Sequence, residues 1–151
     1  MYDGIIKDDH VTLPSPLEHR PRLGARVLVR SYVRRYLKAL FKEIGDWIEE
    51  HAERASNLLL FSICYSEDYM THFLDQLLMS MYKSILKNDN KLIQKNIPLC
   101  FRLLGRYINP NSWGPLVIQA IRSELASFYS FTASGSLKAF GYLLAGSMEL
   151  L

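Results

Sequence analysis

Apolar residues recur at three- and four-residue spacing along most of the chain, which is the period of a helix with one buried face. The first such series predicts a long helix that begins at Ala25 and ends near Gly45. Asp46 and Glu49 have capping-box spacing, which predicts the start of a second helix. The two apolar faces are Leu28, Tyr32, Val33, Tyr36, Leu40 and Ile44, then Ile48, Ala52, Ala55, Leu59 and Ile63.

Four further helices are predicted after Ser66. Ser66 is expected to begin the third helix, because Glu67 and Asp68 would then lie where the helix dipole favours anions. The apolar series of this third helix covers 70–85, and the other three helices are predicted from apolar series over 92–107 and 116–128 and from about Ser134 to the end of the chain. No stretch alternates with period two for long enough to require a strand, so the chain is predicted to be all-α.

A helix-pair pattern repeats along the chain at steps of 41 and 43 residues, from Arg54 to Lys95 to Lys138. This is the length of HEAT and armadillo repeats. The predicted fold is therefore a HEAT/armadillo-type α-solenoid of about three antiparallel helix pairs in a right-handed superhelix. We expect the pairs to occupy 25–66, 67–108 and 109–151.

The two ends of the chain differ from the repeats. Residues 1–24 contain Pro14, Pro16, Pro21 and Gly24, a composition that predicts an extended and poorly ordered lead-in. The last residues lack the polar outer face that a terminal solenoid repeat needs, so a fragment or short form is expected. Self-association through the terminal helix is also predicted, because its apolar residues are expected to be exposed, and these are Leu143, Leu144, Leu150 and Leu151.

Composition narrows the class of protein. A hydrophobic content of 49% is too high for a disordered chain. The longest nearly apolar run, 58–65, is far shorter than a membrane-spanning helix. Acidic residues near the start do not fit a secretory signal, so a reducing, cytosolic or nuclear setting is expected. Cys64 and Cys100 are predicted to be core residues, since two cysteines do not make a disulfide framework or a four-cysteine zinc site.

Residues with catalytic or metal-binding chemistry do not form a convincing set. Asp68, His72 and Asp75 share one helix face, but no other histidine has a spacing that completes a metal site. Adjacent Glu67 and Asp68 point about 100° apart on a helix, so they do not form an acid/base pair. No catalytic residue, cofactor site or metal site is therefore predicted.

Charge is distributed unevenly around a net value of +3. The clearest feature is a set of cations spaced by four along the first helix, which we call the basic ridge: Arg26, Arg30, Arg34, Lys38 and Lys42. We predict that the basic ridge binds a partner. An acidic peptide, an acidic protein surface and a phosphate backbone would all suit it, and a simple solvated face is the alternative.

The segment 53–78 resembles a helix pair of the HEAT-repeat dynein axonemal assembly factors. The resemblance lies in the apolar run 58–60, Glu67, Asp68, Thr71 and Leu74, and Asp46-Trp47 extends it to about a third of the chain. The resemblance implies a non-catalytic scaffold for cytoplasmic preassembly of axonemal dynein arms, with dynein chains and chaperones as partners. The alternative is a basic helical-repeat module that binds nucleic acid or a phosphorylated or acidic ligand.

Overall fold

The computed structural model describes residues 17, 19–45, 48–85, 90–126 and 134–148. All regular structure within these ranges is helical. The elements are α1 (Leu23–Ile44), α2 (Glu49–Ser66), a 3-10 helix (Glu67–Phe73), α3 (Leu74–Ser84), α4 (Lys91–Tyr107), α5 (Pro110–Ala126) and α6 (Ser134–Met148).

The helices form two layers. Helices α2, α4 and α6 pack side by side in what we call the inner layer, and α1, α3 and α5 form the outer layer. Contacts between neighbours are far more extensive within the inner layer than within the outer layer. This arrangement of stacked helix pairs confirms the predicted α-solenoid. The division into repeats at residues 66 and 108 stays a prediction.

One continuous hydrophobic core runs through the stack, from Val33 in α1 to Leu143 in α6. Helix α4 lies between α2 and α6 and is buried on both sides, as its sequence predicted. Phe101 of α4 is fully buried and stacks on Tyr82 of α3, with 6.2 Å between ring centroids. Burial of this core is the main stabilising contribution to the fold.

The closest helix contact in the inner layer joins α4 to α6 through two glycines. A Cβ atom on Gly105 would overlap the main-chain carbonyl of Leu143, and one on Gly146 would overlap the carbonyl of Arg102. The two backbones touch because neither glycine carries a side chain.

A buried asparagine both begins α4 and ties it to α2. The Asn90 side-chain oxygen accepts hydrogen bonds of 3.0 Å from the backbone N–H groups of Leu92 and Ile93. Its amide nitrogen donates to Glu49 at 2.7 Å and to Glu53 at 2.8 Å. The amide therefore satisfies the end of one helix and the carboxylates of another.

One predicted helix start is wrong. Ile48, in an extended conformation, is the N-cap of α2, so the helix does not start from the predicted Asp46 capping box, and Asp46 itself lies outside the described residues. Ser66 ends α2 and is also the N-cap of the next helix, as predicted, but that helix is a 3-10 helix without a side-chain cap bond, and α3 begins only at Leu74. Helices α1, α4 and α6 begin within two residues of their predicted positions, whereas α5 begins at Pro110, six residues before the predicted series at Leu116.

The ends of the array also depart from expectation. Most of the lead-in lies outside the described residues, but Leu17 packs against the core and Arg20 contacts Glu67. The prediction that Leu143 is exposed is wrong, because this side chain is fully buried against α4. Leu144 is 39% exposed, while Leu150 and Leu151 lie outside the described residues. Among the described helices none is long and apolar enough to cross a bilayer.

Candidate functional site

The basic ridge is divided by the fold into an inward part and an outward part. Arg26 is only 4% exposed, so its guanidinium is not available to a partner at the surface. Arg30 is half-buried beside it. Arg34, Lys38 and Lys42 are exposed, and only these three residues of the predicted ridge face solvent freely.

The inward part of the ridge is bound by a buried carboxylate, Glu67. Arg20 reaches its two oxygens at 2.9 and 2.8 Å, and Arg26 and Arg30 each lie 3.3 Å from one of them. A bidentate arginine contact of this kind is a strong, charge-assisted interaction. Glu67 therefore joins the lead-in to α1 and to the end of α2.

Glu67 adopts a backbone conformation that residues with a side chain rarely take. Its φ angle is 51°, the one positive value at a non-glycine residue in the described ranges. Such a conformation costs about 1–3 kcal/mol and persists only where surrounding contacts hold it. Here the three arginines hold the side chain, while Glu67 also lies in the first turn of the 3-10 helix, where a helix dipole favours an anion.

The outward part of the ridge borders a groove in the outer layer. Arg34 lies over the ring of Phe73, with 5.3 Å between the guanidinium carbon and the ring centroid. This contact holds the cation at the mouth of a cavity of about 580 Å³ between α1, the 3-10 helix and the start of α5. Lys38 also lines the cavity, whereas Lys42 does not. Further lining residues are Phe41, Thr71, His72, Gln76, Ser112 and Leu116.

A second cavity of about 500 Å³ continues the groove between α3 and α5. Asp75 and Leu116 line both cavities, so the two share a wall. The second cavity is mainly apolar and is lined by Leu78, Met79, Tyr82 and Ala120, together with the polar residues Lys83, Gln119 and Ser123. We call the two cavities together the outer groove.

Reactive chemistry is not concentrated anywhere in the described residues. They contain no cluster of three or more His, Cys, Asp or Glu side chains that could hold a metal ion. Burial, with the nearby Glu67 charge, raises the pKa of the Cys64 thiol to about 12. Burial likewise raises the pKa of Cys100. Both thiols are protonated at neutral pH and are therefore poor nucleophiles.

Sequence reasoning missed most of the outer groove. It singled out Arg34 and Lys38 but not Thr71, Gln76 or Ser112, which come from other helices and meet the two cations only in the folded chain. The sequence signal for these three residues is weak, because each is a small or polar residue on a helix surface.

Residues 12–149 match the family model described as dynein axonemal assembly factor 5, HEAT-repeat domain. Three similar curated proteins are called dynein axonemal assembly factor 5. The Xenopus laevis protein is 28% identical over 109 residues, which is 72% of this chain and 13% of that protein. The Homo sapiens protein is 26% identical over 110 residues, covering 71% and 12%. The Mus musculus protein is 25% identical over 105 residues, covering 70% and 12%.

The chain thus spans about an eighth of the length of the curated relatives that it matches. No solved structure matches it.

Proposed function

Because the chain belongs to the family described as dynein axonemal assembly factor 5, HEAT-repeat domain, we propose that it is a non-catalytic protein-binding scaffold. It acts in the cytoplasm, together with chaperones, in the assembly of axonemal dynein arms. The observation that supports a binding role for these residues is the outer groove. Exposed Arg34 and Lys38 lie there beside apolar walls on a firmly packed helical stack.

The partner-binding surface proposed here is smaller than the basic ridge. Arg34, Lys38 and Lys42 remain as contact residues, while Arg26 and Arg30 contribute to stability through Glu67. A guanidinium that is already paired with a buried carboxylate is poorly available for an ion pair with a partner protein. The three exposed cations would attract an acidic protein surface and raise the association rate.

The same cations could attract a phosphate backbone, which is the alternative raised by the sequence. Three exposed cations would give a modest salt dependence, because the slope grows with the number of phosphates neutralised. The apolar half of the outer groove favours a protein partner instead, since protein interfaces combine apolar anchors with a polar rim. Dynein chains and chaperones are the proposed partners.

Affinity capture from the cytosol of ciliating cells tests this proposal. The chain would be compared with an Arg34→Glu, Lys38→Glu, Lys42→Glu variant, and the captured proteins would be identified by mass spectrometry. A matched control is an Arg35→Glu, Arg54→Glu, Lys138→Glu variant, which makes the same change in net charge at exposed positions outside the outer groove.

Recovery of dynein heavy or intermediate chains with chaperones is expected for the chain and the control, and no recovery is expected for the ridge variant. Equal recovery of dynein chains and chaperones with the chain, the ridge variant and the control would show that Arg34, Lys38 and Lys42 are not needed for partner binding. Capture of RNA-associated proteins that disappear on nuclease treatment would favour the phosphate-binding alternative.

A further inference from the structure

We infer that the outer groove binds a short peptide segment of a partner protein that carries a carboxylate next to an apolar side chain. The inference rests on the proposed function, because it gives the chemistry of the segment that the scaffold would recognise. Its basis is the polarity of the groove, which is cationic in one cavity and apolar in the adjoining one.

The cationic cavity suits a carboxylate. Arg34 is held in place by its stacking on Phe73, so little conformational entropy is lost when its guanidinium takes up a bidentate ligand. Lys38, one helical turn further along α1, adds a second cation. Ser112 lines the same cavity and brings a hydroxyl group that can donate to a carboxylate oxygen, whereas the Thr71 hydroxyl already donates to the Asp68 carbonyl.

Asp75 fixes where the carboxylate would lie. It stands at the wall common to the two cavities and repels a second negative charge there. Arg34 and Lys38 on the α1 side of Asp75 outnumber Lys83 in the other cavity, so a bound acidic side chain is favoured on the α1 side. A peptide with one acidic and one apolar side chain is therefore expected to prefer one orientation along the groove.

The apolar cavity suits the neighbouring hydrophobic side chain. Met79 is 63% exposed at its rim, and Leu116, Tyr82 and Ala120 form its walls. Methionine is unbranched and polarizable, so it adapts to side chains of different shape. A cavity of about 500 Å³ lies in the range that protein pockets offer to small ligands, and it has room for a leucine or phenylalanine side chain.

Selection from a phage-displayed library of short random peptides, with the intact chain as bait, tests the inference. Enriched peptides are expected to contain Asp or Glu close to Leu, Ile, Met or Phe. The most enriched peptide would then be synthesised with a fluorescent label, beside one version with its acids changed to lysine and one with its apolar residue changed to serine. Fluorescence anisotropy gives each dissociation constant.

Two variants of the chain locate the site. An Arg34→Glu, Lys38→Glu variant is expected to weaken binding of the labelled peptide by about tenfold or more, since each substitution removes a donor of charge-assisted hydrogen bonds. An Arg35→Glu, Lys138→Glu variant makes the same charge change at exposed residues that do not line the groove, and it should bind normally. A Met79→Glu variant tests the apolar cavity separately.

Enrichment of basic or neutral peptides, no enrichment above an unrelated helical protein, or equal weakening in the two double variants would each overturn the inference. These results are distinguishable from failure of the proposed function. If the groove variants capture dynein chains as well as the parent chain does, the assembly role stands but the outer groove is not its binding site. Groove-dependent peptide binding with no dynein chain captured would leave the site without that role.

Discussion

The main chain of Gly105 in α4 lies directly against the main-chain carbonyl of Leu143 in α6. The same contact occurs one turn along, where Gly146 of α6 meets the carbonyl of Arg102 in α4. The two helices therefore pack backbone to backbone, and neither position has room for a methyl group.

Substitution of alanine for Gly105 should destabilise the chain because the new Cβ atom forces α4 and α6 apart. We expect the free energy of unfolding to fall by about 1–3 kcal/mol, the usual cost of an overpacked core. Urea unfolding followed by circular dichroism measures the change.

The matched control is Gly141→Ala, in the same helix pair. Gly141 is exposed within α6 and has no atom within 4 Å of the position that its Cβ would take. This substitution should stabilise the chain by up to about 1 kcal/mol, because alanine is the better helix former. A Gly105→Ala variant as stable as Gly141→Ala would contradict the close contact between α4 and α6.

Loss of the Glu67 carboxylate should be among the most damaging single changes in the chain. Glu67→Ala leaves Arg26, whose side chain is 5% exposed, as a buried cation without its counter-charge. Breaking a buried ion pair from one side costs about 3–5 kcal/mol. Thermal or urea unfolding would show the destabilisation, and tryptic cleavage near Arg20 should become faster as its ion pair is removed.

Glu50→Ala is the corresponding control. Glu50 pairs with Arg54 at 3.6 Å, but both side chains are largely exposed. Exposed pairs contribute about 0–1 kcal/mol, so this variant should unfold almost as the parent chain does. If the two glutamate variants were equally stable, the Glu67 cluster would have no special role.

Local patterns in the sequence predict the helices but not the Glu67 cluster. Helix α1 follows from its apolar spacing, since the residues that decide it lie a few positions apart. The burial of Arg26 depends on Glu67, 41 residues away in the sequence, and no local pattern reports that pairing. The 3-10 form of the helix after Ser66 is hidden for a similar reason, because Ser-Glu-Asp is an equally good start for an α-helix.

The outer groove is predictable only in part. Arg34 and Lys38 belong to a regular series within one helix, so they are visible in the sequence. Ser112 joins them from α5 because the helix pairs stack, and that register is a property of the whole core.

Asn90 offers a test of the contact between α2 and α4. Asn90→Asp keeps an oxygen for the start of α4 but places a new carboxylate against Glu49 and Glu53. We expect a decrease of about 2 kcal/mol in the free energy of unfolding, because two donated hydrogen bonds become repulsive contacts. Chemical unfolding at low ionic strength gives the clearest measurement, as salt screens repulsion.

Asn90→Ser separates helix capping from the bridge to α2. Serine is also a good N-cap, but it lacks the amide group that donates to the two carboxylates. Asn90→Ser should lower the free energy of unfolding by about 1 kcal/mol, a smaller decrease than that expected for Asn90→Asp. A smaller destabilisation by aspartate than by serine would show that capping, not the bridge, is the main contribution of Asn90.

Alkaline solution should destabilise the chain through its buried thiols. Cys64 has a pKa of about 12 in the folded chain against an ordinary value of 9.0, so the folded state keeps a proton that the unfolded state loses. The stability is complete below about pH 9 and falls as the pH rises towards 12. The expected slope is about 1.4 kcal/mol per pH unit for each such group.

Unfolding measured at about pH 8, 9 and 10 would show the decline, and Cys64→Ala should make it shallower by removing one of the titrating groups. Cys100, whose pKa is also raised, keeps part of the decline in that variant. An identical slope with and without Cys64 would contradict the assignment.

The contact between Gly105 and Leu143 also has a mechanical consequence. Helices α4 and α6 are in main-chain contact, whereas cavities separate α1, α3 and α5 on the outer side. The inner side is therefore expected to resist bending of the stack more than the outer side does. Curvature therefore changes the width of the outer groove far more than the spacing of α4 and α6. A segment wedged into the groove would set the curvature of the array, and tension along the array would in turn change how tightly that segment is held.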